Sequence, residues 1–283
     1  MHTVTLSDGR RLAYEDVGAP EGLPVVYHHG GLRCRLDALA LDGATRATGV
    51  RLVAPDRPGI GGSTRHPDRA LADWPADVAA LADALEIGRF AVFGWSLGGP
   101  HALACAAVLG DRVTGAATLG CPIPADWPGM GDQINRLDRR MMRRSVAARM
   151  LLRGMALSAR RLPERSAQAA ARTLDDRSAA AVLADPVAWS AGQAEGLSDV
   201  AGVLDDYRVM ATPWAIDLER IAAPVRLWQG SADTLVPAPW VVRLAEALPH
   251  AQVSALEGEG HVLAPARYEE ILASLSAVAR SAS

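Results

Sequence analysis

Short apolar runs bounded by turn residues alternate with stretches of helical spacing through the first 120 residues. Val4-Thr5-Leu6 and Arg11-Leu12-Ala13-Tyr14 flank Ser7-Asp8-Gly9, a hairpin pattern whose Asp-Gly pair supplies the turn. Continuous apolar runs follow at Pro24–Tyr27, Arg51–Ala54 and Arg89–Phe93. They end in His28-His29-Gly30-Gly31, in Pro55-Asp56-Arg57-Pro58-Gly59 and in Gly94-Trp95-Ser96. Runs without polar alternation suit strands buried on both faces, as in a parallel sheet. Between the second and third, Asp73–Glu86 carries Val78, Leu81 and Leu85 at helical spacing. Ala102–Leu109 reads as a helix closed by Gly110, and Gly115–Gly120 as a further strand. Strand and helix in alternation predict an α/β fold, a doubly wound sheet.

The pattern changes from about Pro122 to Thr212, where the chain turns helical and rich in Ala, Arg and Met. Strands return at Val225–Trp228 and Gln252–Leu256, with helices at Pro239–Leu248 and Pro265–Val278. The middle therefore reads as a helical insertion, residues 122–212, within one core made of 1–121 and 213–283.

Composition excludes several classes. At 283 residues, 49% hydrophobic and 22% charged, the chain has the size and balance of an ordinary soluble globular protein of one α/β domain. A net charge of −3 gives no electrostatic case for nucleic acid or an anionic membrane. No lysine occurs, and all the cations are arginines. The N-terminus lacks a signal-peptide pattern and no apolar run reaches the roughly 20 residues of a membrane span, so a cytoplasmic protein is expected. Cys34, Cys105 and Cys121 show no metal or disulfide spacing and read as reduced packing residues; no metal and no cofactor are expected.

Gly94-Trp95-Ser96-Leu97-Gly98 fits G-x-S-x-G between a buried strand and a helix, the context in which the turn lifts a serine hydroxyl above the sheet. A serine needs a base, and the base an orienting acid. Of seven histidines, His261 in Gly260-His261-Val262 follows the last strand; Asp233 follows the strand before it. The expected catalytic set is Ser96, Asp233 and His261, in the chain order Ser, Asp, His. Oxyanion donors are expected from the backbone N–H groups of Leu97 and Gly31. His29, Leu32 and Trp95 are expected at the substrate pocket, with one of His28 and His29 instead bracing the loop; His101 is expected to be packing only.

On these motifs the sequence resembles the α/β-hydrolase fold family, specifically its capped bacterial hydrolases and esterases. The resemblance rests on the His29-Gly30 loop, Asp56-Arg57-Pro58-Gly59-Ile60-Gly61-Gly62-Ser63, the elbow, Gly230…Asp233…Val236-Pro237 and Gly260-His261. It implies a mostly parallel eight-stranded sheet flanked by helices, with a helical lid after the sixth strand and a structural role for the Asp56–Ser63 run. The chain departs from the pattern where many relatives have His-Gly-x-Pro, because Leu32 stands at the proline position. The implied activity is cofactor-free hydrolysis of a small-molecule carboxylic ester, with thioester, lactone, amide or C–C bond cleavage as alternatives. Haloalkane dehalogenases and epoxide hydrolases need an aspartate at position 96, and the Gly-Gly-Ser-Trp-Gly loop usual in proline iminopeptidases is absent. A non-hydrolytic enzyme or a binding protein on this fold is the less favoured class. Eleven arginines between Asp126 and Arg172 make the lid basic. They are expected either to be a solvated face, with Met130, Met141, Met142, Met150 and Met155 turned to the core, or to meet an anionic or carrier-bound substrate.

Overall fold

Eight apolar runs become eight strands of one sheet in the computed structural model, which describes residues 1–281. They are β1 His2–Thr5, β2 Arg11–Gly18, β3 Leu23–His28, β4 Val50–Pro55, β5 Phe90–Trp95, β6 Val113–Leu119, β7 Val225–Gly230 and β8 Ala251–Leu256. The spatial order is β1-β2-β4-β3-β5-β6-β7-β8. The β1–β2 and β2–β4 pairs are antiparallel and every other pair is parallel. All the parallel strands thus present their carboxyl ends on one edge, where ligands of open α/β sheets bind.

The central strands are apolar on both sides because both sides are covered. Phe90 and Val92 of β5 pack with α1 (Trp74–Ala84) and α2 (Gly98–Leu109) on one face. Ala91 and Phe93 join Tyr268, Ile271 and Leu272 of α10 (Tyr268–Ser281) on the other. Phe90 and Phe93 are fully buried, each contributing about 1.5–3 kcal/mol of transfer free energy. α2 begins four residues before the apolar pattern predicts. Gly98, Gly99 and Pro100 are poor helix formers, but they occupy the first turn, where N–H groups have no intrahelical partner.

Between β6 and β7 the described residues form helices and no strand: α3 Arg136–Met142, α4 Val146–Arg161, α5 Pro163–Ala171, α6 Asp176–Ala184, α7 Pro186–Gly196 and α8 Val200–Met210, with α9 Ala238–Glu246 following β7. α4 turns Ala148, Leu152, Ala156 and Ala159 inward. Met150 lies two residues from Ala148, about 200° around the helix, and is 67% exposed, so it does not face the core as expected. Met130 and Met141 are buried, and Met142 and Met155 pack against the core from its margin. α8 approaches the core most closely. A Cβ on Gly202 would meet the Gly59 carbonyl oxygen at 1.9 Å, and Gly59 itself holds φ +80°. None of the described helices is long and apolar enough to cross a membrane.

Candidate active site

β5 ends at Trp95 and α2 starts at Gly98, so two residues reverse the chain. Ser96 takes φ +53°, a left-handed conformation that costs a non-glycine residue roughly 1–2 kcal/mol. The surroundings hold it there: its N–H donates to the Leu119 carbonyl and its own carbonyl accepts from Gly99 N–H, both at 2.8 Å. The flanking glycines are steric requirements. A Cβ on Gly94 would lie 2.3 Å from the Gly98 carbonyl oxygen, and one on Gly98 would lie 2.0 Å from that of His28.

The turn exposes Ser96 to a cavity of about 670 Å³ at the carboxyl edge of the sheet. His261 and Thr234, from the loops after β8 and β7, line the same cavity. Asp233 stands behind the histidine, its Oδ2 2.8 Å from His261 Nδ1. The other carboxylate oxygen accepts the N–H groups of Leu235 (2.8 Å) and Val236 (3.0 Å). Burial by itself raises the Asp233 pKa, but His261 and these donors bring it below the usual carboxylate range. Burial likewise pulls His261 down, yet Asp233 lifts it above the ordinary histidine value. Gly120 makes room for the pair, since a Cβ there would come within 3.0 Å of His261 Nδ1. The loop that carries His261 is also tied to the helical insertion. Val262 N–H donates to Ser178 Oγ (2.9 Å), and Ser178 Oγ donates to Asp175 Oδ2 (2.7 Å). Trp95 Nε1 donates to the His261 carbonyl at 2.9 Å.

On the opposite side, Gly31, Leu32, Trp95 and Leu97 line the cavity beside Ser96. Leu97 stands at the start of α2, where backbone N–H groups and the helix dipole favour negative charge. Leu32 holds φ +60°, which a proline ring forbids, so its departure from the family pattern has a conformational counterpart. His29 does not reach the pocket as expected. It is 1% exposed and turned inward, with Nε2 accepting from Arg57 N–H (3.4 Å) and Nδ1 2.9 Å from the Gly30 carbonyl.

Arg57 braces this loop. Its guanidinium donates to the carbonyls of His29 (2.5 Å) and Gly30 (3.1 Å) and forms an ion pair with Asp206 of α8 at 2.7 Å. Arg69 donates to the same carboxylate at 2.9 Å. Burial favours protonation of Asp206, but the two guanidiniums outweigh it and keep the carboxylate ionised. Two cations against one anion leave an excess positive charge behind the loop. His101 lies 4.0 Å from Asp206, yet burial and Arg57 push it down to about 3, so it stays neutral. His28, fully buried and accepting from Trp74 Nε1, is also held well below the ordinary value by burial. The Asp56 carboxylate takes Arg35 and Gly62 N–H groups (2.7 and 2.9 Å) and serves the loop's structure.

Sequence reasoning missed Asp206, Asp138 and Tyr207. Asp138 Oδ1 accepts from Tyr207 Oη and its Oδ2 from Asn135 Nδ2, both at 2.7 Å, on the cavity wall. A signal was present in Gly202-Val203-Leu204-Asp205-Asp206-Tyr207, where carboxylates interrupt an apolar helix and so demand buried partners. The eleven insertion arginines are all exposed, and of them Arg136 alone lines the large cavity.

The alpha/beta hydrolase fold family matches residues 24–265. The chain belongs to this family. A non-heme chloroperoxidase from Streptomyces lividans is 40% identical over 103 residues, covering 35% of this chain and 36% of that protein. A proline iminopeptidase from Neisseria gonorrhoeae is 29% identical over 157 residues, covering 50% and 48%. The chain thus matches between about a third and a half of the length of these curated relatives. In fold it resembles a thermophilic esterase from Thermogutta terrifontis, with TM-score 0.73, 22% identity and coverage of 100% and 99%. An esterase from Rhodococcus sp. superposes with TM-score 0.68 and 22% identity, covering 98% of each chain.

Proposed function

We propose that the chain is a serine hydrolase that cleaves a carboxylic ester of a small molecule. Ser96 attacks the carbonyl carbon while His261 takes its proton and Asp233 holds the imidazole in orientation. The N–H groups of Leu97 and Gly31 meet the developing oxyanion, helped by the positive charge behind the loop. The alcohol leaves with the proton from His261, and water then releases the acid through the same base. Residues 122–212 act as a lid over the cavity, and the chemistry uses protein groups alone.

The observation that supports this reading most directly is the conjunction of a strained Ser96 and the 2.8 Å Asp233–His261 pair, with Ser96 and His261 lining the same large cavity. The proline iminopeptidase relatives favour a second reading, cleavage of an amide through the same acyl-enzyme. The test is covalent labelling by a fluorophosphonate together with hydrolysis of p-nitrophenyl esters. Wild type reacts in both, and Ser96→Ala in neither. Labelling that survives in Ser96→Ala rejects the assignment.

A further inference from the structure

Ser96 stands at the junction of two compartments of very different size. The large one measures about 670 Å³ and the small one about 20 Å³. Both are bordered by Ser96, Leu97, Asn135, Asp138 and Leu235. Asp138, pinned by Tyr207 and Asn135, makes a braced partition between them. The small compartment is walled by Ile123, Met130, Met142, Met210, Val236 and Trp240. Ile123 and Met210 are fully buried, and Trp240 is anchored through Nε1 to Gln133 Oε1 at 2.9 Å, so the wall has little room to retreat.

His261 borders the large compartment and not the small one. That asymmetry orients the substrate. In the acylation step the Ser96 Oγ–carbonyl bond forms and the carbonyl–OR bond breaks. The Oγ proton passes to His261 and then to the departing RO oxygen, giving ROH and acyl-Ser96. The departing oxygen must therefore lie on the His261 side, and the acyl chain on the other. A space of ~20 Å³ holds about one water molecule, the size of a methyl group.

We infer that the substrate is a short-acyl ester, in essence an acetate, of a bulky and mainly apolar alcohol, with the acyl methyl against Met142 and Trp240 and the alcohol in the large compartment. The large compartment fits that role, being lined by Leu32, Trp95, Leu151, Met155, Leu174 and Trp189. The partition carboxylate of Asp138 works against acyl groups that bear a negative charge. This inference rests on the serine-ester reading above.

Two substrate series test it. Naphthyl acetate, butyrate and octanoate vary the acyl chain at a fixed alcohol. Alkyl acetates from ethyl to decyl vary alcohol bulk at nearly constant leaving-group acidity. The kcat/KM is expected to fall about tenfold or more from acetate to butyrate, and to rise along the acetate series. Met142→Ala and Trp240→Ala are expected to raise the butyrate-to-acetate ratio about tenfold. Met142 lies at the margin of the core, so it keeps the test alive should the Trp240 variant fail to fold. Equal turnover of acetate and octanoate, or faster cleavage of L-prolyl p-nitroanilide than of any acetate, overturns the inference. Fluorophosphonate labelling of wild type separates the two levels: labelling with a flat acyl profile sinks this inference alone, and absence of labelling sinks the underlying reading.

Discussion

Replacing Asp206 by alanine removes the carboxylate that two buried guanidiniums share. Side chains of Arg57, Arg69 and Asp206 are 1%, 2% and 4% exposed, so neither cation gains water when its partner is lost. Breaking a buried pair in this way costs about 3–5 kcal/mol, a large part of the roughly 5–15 kcal/mol that holds a domain together. At about 2–4 °C per kcal/mol for a chain near this size, the melting temperature should fall by roughly 6–20 °C. Activity should fall as well, because Arg57 also fixes the His29 and Gly30 carbonyls and so aims the Gly31 N–H. Loss of one oxyanion donor corresponds to about 10²–10³ in kcat. The two effects come apart in the double variant Arg57→Met/Asp206→Leu, which replaces the pair by apolar groups. Stability should return only in part, because Arg69 stays buried without its carboxylate, while kcat stays low with KM little changed. Differential scanning calorimetry and steady-state kinetics on a p-nitrophenyl ester measure both. An Asp206→Ala protein with unchanged melting temperature and kcat refutes the reasoning, and so does a double variant with full activity.

Asp233→Asn should keep the fold and the hydrogen bonds to Leu235 and Val236 yet reduce kcat about 10⁴-fold, since the amide favours the wrong imidazole tautomer; a loss under tenfold would point to another acid. The kcat/KM should rise with pH through an apparent pKa above about 6.5, because His261 must be neutral to accept the Ser96 proton and Asp233 lifts its pKa. In Asp233→Asn that limb should move to lower pH, and an unmoved limb would contradict the pairing. Acid should destabilise the fold through His28, His29 and His101, whose native pKa values lie below those of the unfolded chain. Below about pH 6.5 the unfolded state binds protons that the native state refuses, so each such histidine costs about 1.4 kcal/mol per pH unit. Urea midpoints measured from pH 7 to pH 5 should fall steeply for wild type and less for His101→Gln. Gly98→Ala should abolish activity and lower stability by about 1–3 kcal/mol, because the added methyl meets the His28 carbonyl rather than a movable side chain; a fully active variant would show that the elbow can relax.

Elements with a local cause were legible in the sequence. Apolar runs gave the parallel strands, and the glycines around Ser96 gave the turn, since both depend on neighbours within a few residues. The placement of Asp233 and His261 after successive strands brought them to one edge for the same reason. What escaped depended on partners far along the chain. His29 looks like a pocket residue until Arg57 N–H, 28 positions on, takes its Nε2. Asp206 is one carboxylate among many until helix α8 lays it against Arg57, 149 positions away. Asp138 and Tyr207 meet across 69 positions, and no periodicity encodes that meeting. Met150 shows a further limit, since a basic helix with two apolar stripes does not declare which one is covered.

The contact of Gly202 with Gly59 bears on how this fold can be recombined. Backbones that close tolerate no side chain at either position, and Asp205 and Asp206 extend the same seam to Arg65 and Arg57. By connectivity α8 is part of the insertion, but by its contacts it belongs to the core. An exchange of the helical insertion between family members that cuts before residue 200 leaves this seam whole. One that cuts at 212 imports a foreign helix onto Gly59 and orphans the buried Arg57 and Arg69 in a single step.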